Sequence, residues 1–306
     1  MTIKDQKYGG NWTIIKLDVV REYLDAYFRV MKNQNFQFCY IDAFAGSGLN
    51  ETRVGDIEGS ALQALDFPFD RFIFIEKDRA YLDALRGRIM QDEKNHVKNI
   101  NYHFGDCNEI LSVIHKTPWE QNFWRGVIFL DPYAMNLDYE SLHAISMTGV
   151  FDVWYLFPIS AMIRCLRKDG NIDPKTEAAI SRLLGTDAWR DDLYIIDPQL
   201  SLFGDEKEIR VTLQNVVQYV IKRIKNTFQS VLEQPIVLHN KTGSVLFLLC
   251  FACSSKSKKA QRISVDIAKS LARKVIQREV DYDGNKIKDR VDGEHVEPGD
   301  WMYKDF

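Results

Sequence analysis

A chain of 306 residues with 45% apolar and 12% aromatic content has the material for a well-filled core, which excludes intrinsic disorder. The net charge of −3 excludes a nucleic-acid binder that works through overall basicity and leaves only local patches to consider. The five cysteines, odd in number and irregularly spaced, exclude a disulfide framework and fit a reducing, cytoplasmic compartment.

The first ten residues, MTIKDQKYGG, lack an apolar core, so no signal peptide is expected. Residues 13–31 carry apolar side chains near helical spacing (Ile14, Ile15, Leu24, Tyr27, Phe28, Met31), which predicts an amphipathic helix with Thr13 as its cap. QFCYIDAF is a short apolar run ending in the glycine turn AGSG, the pattern of a buried parallel strand. A long loop follows in which Glu58 is a candidate to face the acceptor, and Ser60 is expected to cap a second helix.

RFIFIE (71–76) predicts a second strand, with a helix over 78–93. NINYHF (99–104) is a third strand, and CNEILSVI a short helix. GVIFLD (126–131) and DVWYLF (152–157) complete five strands that alternate with helices, the signature of a parallel sheet covered on both faces. Residues 165–205 break the alternation and predict a helical insertion on the substrate or partner side. Residues 206–229 again read as a helix, with Ile209, Leu213, Val216, Val217, Val220, Ile224 and Phe228 along one face.

PIVLHNKTGSVLFLLCF holds two apolar runs joined by turn residues, hence a hairpin. Its longest apolar run, VLFLLCFAC, has nine residues, too few to span a membrane. Cys250 and Cys253 in that run are three apart on a strand and should face opposite ways, so no metal site is expected. Residues 254–278 carry eight Lys or Arg against one Asp, with apolar positions between: a half-buried helix with a basic outer face. Lys258, Lys259 and Arg262 on that face are candidates to track nucleic-acid phosphates. Residues 276–306 contain two Asp-Gly turns and are expected to form a hairpin and tail.

The expected fold is therefore a doubly wound, Rossmann-like α/β sheet of seven strands, the last two a hairpin. Residues 1–164 and 206–275 form the core in this reading. The hairpin ending marks the methyltransferase variant of the nucleotide-binding fold. In open parallel sheets ligands sit beyond the carboxyl ends of the strands, at the point where strand order reverses. Asp42, Glu76, Asp106 and Asp131 each stand at or just after such an end.

A dinucleotide would need a third glycine where Glu51 stands, and no GxxxxGK[ST] run occurs. S-adenosylmethionine carries no phosphate, and its cationic sulfonium and amino groups suit acids. Glu76 would accept from the ribose hydroxyls, with Lys77 beside it. Asp106 would accept from the adenine amine, next to Cys107. Asp42 would orient the turn formed by Phe44, Ala45, Gly46, Ser47 and Gly48 or receive the methionine amino group through water. Asp131-Pro132-Tyr133 is similar to the acid–proline–proline–aromatic run of nucleobase amino-methyltransferases, in which the acid and a carbonyl hold the amine and the ring stacks on the base. Here the aromatic comes one position early and Ala134 follows it.

With GGNWTIIKLDVV, YIDAFAGSG, IEGSALQAL, FIFIEKD, FLDPYAM, DVWYLFP, RLLGTDAWRDDLY, QLSLFGDE and GSVLFLLCFA, the chain resembles the three-Cys-motif partner proteins, a bacterial group similar to class I methyltransferases. The resemblance spans residues 9 to about 253. It implies a methyltransferase-like enzyme and a partner with three clustered cysteines similar to radical-type iron–sulfur proteins. It also draws Trp12 and Lys16, four apart at the start of the first helix, toward the site. The pattern in that group has glycine after the DPY run, where this chain has Ala134. The acceptor stays open between an amino group on DNA or RNA and a peptide or small molecule, as does a binding module without transfer.

Overall fold

The computed structural model describes residues 6–9, 11–52, 55–196, 208–240, 242–276, 278–279 and 288–289. A short strand β1 (Gln6–Gly9) leads into α1 (Asn11–Met31), which buries Leu17, Val20, Tyr23 and Leu24. Thr13 is therefore an interior residue of this helix, not its cap. Its buried hydroxyl has no partner among the described residues. β2 (Gln37–Asp42) ends in the glycine turn. Residues 49–58, expected as a loop, form the hairpin β3 (Leu49–Thr52) and β4 (Gly55–Glu58), with β1 parallel to β3 on its other edge.

Next come α2 (Ser60–Ala64), β5 (Arg71–Glu76) and α3 (Arg79–Gln91). α3 starts where the Asp78 carboxylate accepts from the amides of Ala80 (2.8 Å) and Tyr81 (3.2 Å). β6 (Ile100–Phe104), α4 (Cys107–Leu111), β7 (Trp124–Leu130), α5 (Tyr139–Met147) and β8 (Phe151–Phe157) follow. Every residue of β8 is buried, as an interior strand covered on both faces requires.

α6 (Ile159–Cys165) leads into the insertion, which holds α7 (Pro174–Leu184), α8 (Trp189–Leu193) and β9 (Tyr194–Ile196); β9 pairs antiparallel with β10 (Glu208–Arg210) just beyond it. β10 occupies the start of the helix expected from residue 206, so α9 (Leu213–Lys225) begins later, at the Thr212 cap. α7 ends at Gly185, whose φ of 68° is left-handed and over which Tyr139 packs; a Cβ there would lie 2.1 Å from Tyr139 Cδ1. β11 (Ser230–Val231), β12 (Ile236–His239), β13 (Val245–Cys253), α10 (Lys258–Ile276) and a pair β14 (Arg278–Glu279) and β15 (Lys288–Asp289) complete the chain. β14 and β15 are antiparallel, and the rest of the expected tail lies outside the described residues.

The main sheet runs β6–β5–β2–β7–β8–β13, with β11 and β12 both paired to β13. β13 is antiparallel to β8 and to β12. Apart from the small strand β11, which makes the sheet eight-stranded and was not anticipated, this is the seven-strand order of the methyltransferase variant of the Rossmann-like fold. Alternate strand residues divide the interior into two cores. Ile41, Ile128, Leu130 and Val153 face α4 through α9, whereas Tyr40, Phe72, Phe129 and Trp154 face α1, α2, α3 and α10. Cys250 and Cys253 fall in different cores, as their spacing predicts. Among the described residues no helix is long and apolar enough to cross a membrane.

Candidate active site at the strand carboxyl ends

β2 is the switch point: the chain leaves it toward β5 and β6 on one side and toward β7 and β8 on the other. Asp42, its last residue, is fully buried. One carboxylate oxygen accepts from the Phe44 amide (3.2 Å) and the other from the Ser60 hydroxyl (2.5 Å). Burial pushes its pKa up to about 7, with Asp131 adding to the rise and the Ser60 and Phe44 hydrogen bonds and Lys16 opposing it. Ser60 is thus a partner of Asp42 and the first residue of α2; the helix cap is Gly59.

The glycine turn is built tightly. The Ala45 amide donates to Ile75 O (3.0 Å), and the Gly46 amide donates to Glu76 Oε2 (2.8 Å). Gly46 and Gly48 have φ of 60° and 89°, which a side chain would strain. Arg88 holds the Ser47 carbonyl (2.5 Å), and Gly59 N holds that of Gly48 (2.7 Å). The turn then enters β3 instead of a helix. Glu51 lies on this exposed hairpin opposite Asp56, away from the place of a third glycine.

Glu76 also accepts from the Asp78 amide (2.8 Å), so its two oxygens brace the glycine turn and the start of α3 together. Asp106 caps α4 through the Asn108 amide (2.9 Å) and pairs with the exposed Lys77 (3.1 Å). Burial opposes the ionised form of Asp106, but these hydrogen bonds and Lys77 outweigh it and hold its carboxyl below the usual range. Cys107 is buried, and burial pushes its thiol up to about 12, so it packs as a neutral group.

Asp131 follows the last residue of β7, and its side chain is 25% exposed. Its Oδ2 accepts from the ammonium of Lys16, which α1 buries across the mouth of the sheet. The Lys16 ammonium also lies 4.9 Å from the centre of the Trp12 ring, which packs on Phe247 of β13 at 4.8 Å. Pro132 is buried, whereas Tyr133 is 83% exposed. Ala134 adopts φ of 52°, the left-handed conformation that glycine takes at no steric cost. Asn108, which gave no signal in the sequence, pins the following loop: it donates to Asn136 O (2.8 Å) and accepts from the Asp138 amide (2.9 Å) and the Ser141 hydroxyl (2.9 Å).

The structure therefore gathers Asp42, the turn, Glu76, Lys77, Asp106, Cys107, Asp131, Pro132, Tyr133, Trp12 and Lys16 at one end of the sheet. Glu58 is exposed at the end of β4. Lys258, Lys259 and Arg262 belong to the opposite end, because β13 runs antiparallel and its Cys253 pairs with Asp152 at the start of β8 just before α10 begins. There the basic surface is partly neutralised: Lys256 pairs with Glu120 and Arg262 with Asp266. Periodicity gives a basic helix face but not the end of the sheet on which it falls.

No protein-family model matches the chain, and no curated protein sequence does. Among solved structures, the chain is similar to a Legionella pneumophila protein of the family model DUF519, at 10% identity over 83% of this chain and 91% of that one, with a TM-score of 0.45. It is also similar to Trm1 from Pyrococcus horikoshii in complex with S-adenosyl-L-methionine (14% identity, 86% and 74% covered, TM-score 0.34). A third is spermidine synthase from Thermotoga maritima (12% identity, 82% and 62% covered, TM-score 0.39). The fold assignment rests on the strand order and the antiparallel β13, independently of these likenesses.

Proposed function

We propose that the chain binds S-adenosylmethionine beyond β2, β5, β6 and β7 and transfers its methyl group to an amino nitrogen, with a nucleobase of DNA or RNA as the acceptor. The observation that carries this reading is the bracing of the glycine turn by an acid. A pyrophosphate needs free backbone amides at a helix N-terminus. Here the Gly46 amide is spent on Glu76, a hairpin replaces the helix, and Asp42 lies beneath the turn. The spent amide and the missing helix N-terminus disfavour an anion, and the Glu76 carboxylate suits a cation with hydroxyl donors.

The residues fit that cofactor as hydrogen-bond acceptors. Carboxylate oxygens accept more than one hydrogen bond, so Glu76 can serve ribose hydroxyls while still bracing the turn. The Asp106–Lys77 pair is exposed and adds little stability, so Asp106 can exchange it for an adenine amino group. When bound, S-adenosylmethionine supplies an electrophilic methyl carbon and a neutral leaving group. The chain's task is then alignment: Asp131 and the Pro132 carbonyl accept from the amine and point its lone pair, while Tyr133 covers the acceptor. The three-cysteine iron–sulfur partner belongs to this reading on the strength of the sequence segments alone.

The test separates cofactor from acceptor. Asp131→Asn is preferred to Asp131→Ala, which would strand the buried Lys16 ammonium without its partner. Asp131→Asn should keep cofactor affinity within about twofold and slow transfer on the order of a hundredfold. Glu76→Gln should weaken the cofactor about tenfold or more, since its amide can no longer accept at both positions. If Asp131→Asn abolished cofactor binding, or Glu76→Gln left it unchanged, the assignment would be wrong.

A further inference from the structure

The Lys16–Asp131 pair carries information about the acceptor, given the methyl-transfer reading above. Lys16 is only 4% exposed. Taking an ammonium out of water is costly, and a pair of apolar side chains would fill the same volume without that cost. The ammonium lies 4.9 Å from the centre of the Trp12 ring, which itself packs on Phe247, so the charge has an aromatic neighbour at the mouth of the site. Lys16 gives one N–H to Asp131 Oδ2 and has others to offer, whereas Asp131 Oδ1 remains to accept. The pair thus presents one donor and one acceptor side by side.

We propose that this pair reads a donor–acceptor edge on a heteroaromatic amine: Asp131 accepts from the amino group to be methylated, and Lys16 donates to a ring nitrogen bonded to the same carbon. Adenine and cytosine carry that edge. As the N–CH3 bond forms, the C–S bond breaks with its electron pair kept by sulfur. The surplus proton on nitrogen passes to Asp131 Oδ1 and from there to water. An alkylammonium is disfavoured twice, because it brings another cation beside a buried one and has no lone pair until it is deprotonated. A carboxamide has a similar edge but no ring. Trp12 stands beside Lys16, and Tyr133, 83% exposed, lies two residues beyond Asp131, so each member of the pair has an aromatic neighbour on which a flat ring can stack.

The test uses short oligothymidylates with one central adenine, 1-deazaadenine, cytosine or 3-deazacytosine, in the ribo and deoxy series. Affinity is read by fluorescence anisotropy with S-adenosylhomocysteine present. The protein should bind the parent of at least one pair about tenfold to a hundredfold more tightly than its deaza analogue, the worth of a hydrogen bond from a charged donor. In Lys16→Met that ratio should fall to about one. Equal binding of parent and analogue by the unaltered protein overturns the proposal, and this arm needs no variant to fold. Discrimination that persists in Lys16→Met, or stronger competition by putrescine or a carboxamide than by the nucleosides, also overturns it. Calorimetry with S-adenosylhomocysteine alone comes first. If it fails to bind, the methyl-transfer reading falls and this one with it; if it binds and the bases are not discriminated, only this one falls.

Discussion

Replacing Asp42 by Asn should remove one proton's worth of pH dependence from the folding equilibrium. In the unfolded chain this carboxyl has a pKa of 3.8, and burial raises it to about 7 in the folded state. Between those values the unfolded form is ionised while the folded form still holds its proton. The folded state therefore binds more protons there, and stability falls as pH rises from about 4 to about 7. Each pH unit of that interval contributes about 1.4 kcal/mol. Over pH 5 to 8 the contribution comes to about 2–3 kcal/mol, as an order of magnitude.

Asn preserves the shape: its oxygen can accept from the Phe44 amide, and its NH2 can donate to the Ser60 oxygen once that hydroxyl turns. The groups that face Asp42, namely Ser60, Asp131 and Lys16, are unchanged in the variant, so their titration largely cancels in the comparison. Urea unfolding of both proteins at pH 5 and pH 8 gives the measurement. The native protein should lose about 2–3 kcal/mol more between the two pH values than Asp42→Asn does. Parallel pH profiles would refute the claim that burial raises the Asp42 carboxyl toward neutrality.

Tyr23→Phe removes the hydroxyl that donates to the buried Asp152 at 2.7 Å. Burial pushes Asp152 up to about 6, so the variant should cost about 1–3 kcal/mol well above that pH and less below it, where the carboxyl is protonated; denaturation at two pH values checks this. Ala134→Gly should raise stability by up to about 1 kcal/mol, because Ala134 holds a left-handed φ of 52°; a lower melting temperature would count against it. Gly185→Ala should destabilise by about 2 kcal/mol or more, since its Cβ would meet the Tyr139 ring at 2.1 Å in a left-handed conformation; an unchanged melting temperature would show that the ring can move aside.

The parallel strands were legible because strands buried on both faces read as continuous apolar runs, and RFIFIE, GVIFLD and DVWYLF are of that kind. The turn residues of HNKTGS then gave the hairpin, and with it the order of the sheet's far edge. β3 and β4 were not legible: LNET and GDIE have no apolar alternation, and pairing with each other and with β1 makes them strands. β9 and β10 were not legible either: residues 165–205 read as helical in patches, and β10 falls where a helix was expected from residue 206.

In the site, the strand-end acids could be found because each stands at or just after the end of a predicted strand. Their partners could not. Lys16 and Asp131 are 115 residues apart, and only the placement of α1 over β7 joins them. Ser60 reads as a helix cap in sequence because a serine before a helical run is usually one; the fold gives its hydroxyl to Asp42 instead.

The central claim is that the braced glycine turn and its acids hold S-adenosylmethionine, and titration calorimetry on the purified protein tests it most directly. S-adenosylmethionine or its demethylated product should bind with a dissociation constant in the rough range of micromolar to millimolar, the usual span for substrates and cofactors. Glu76→Gln should weaken that binding about tenfold or more. Heat from NAD with none from either S-adenosyl compound would contradict the claim.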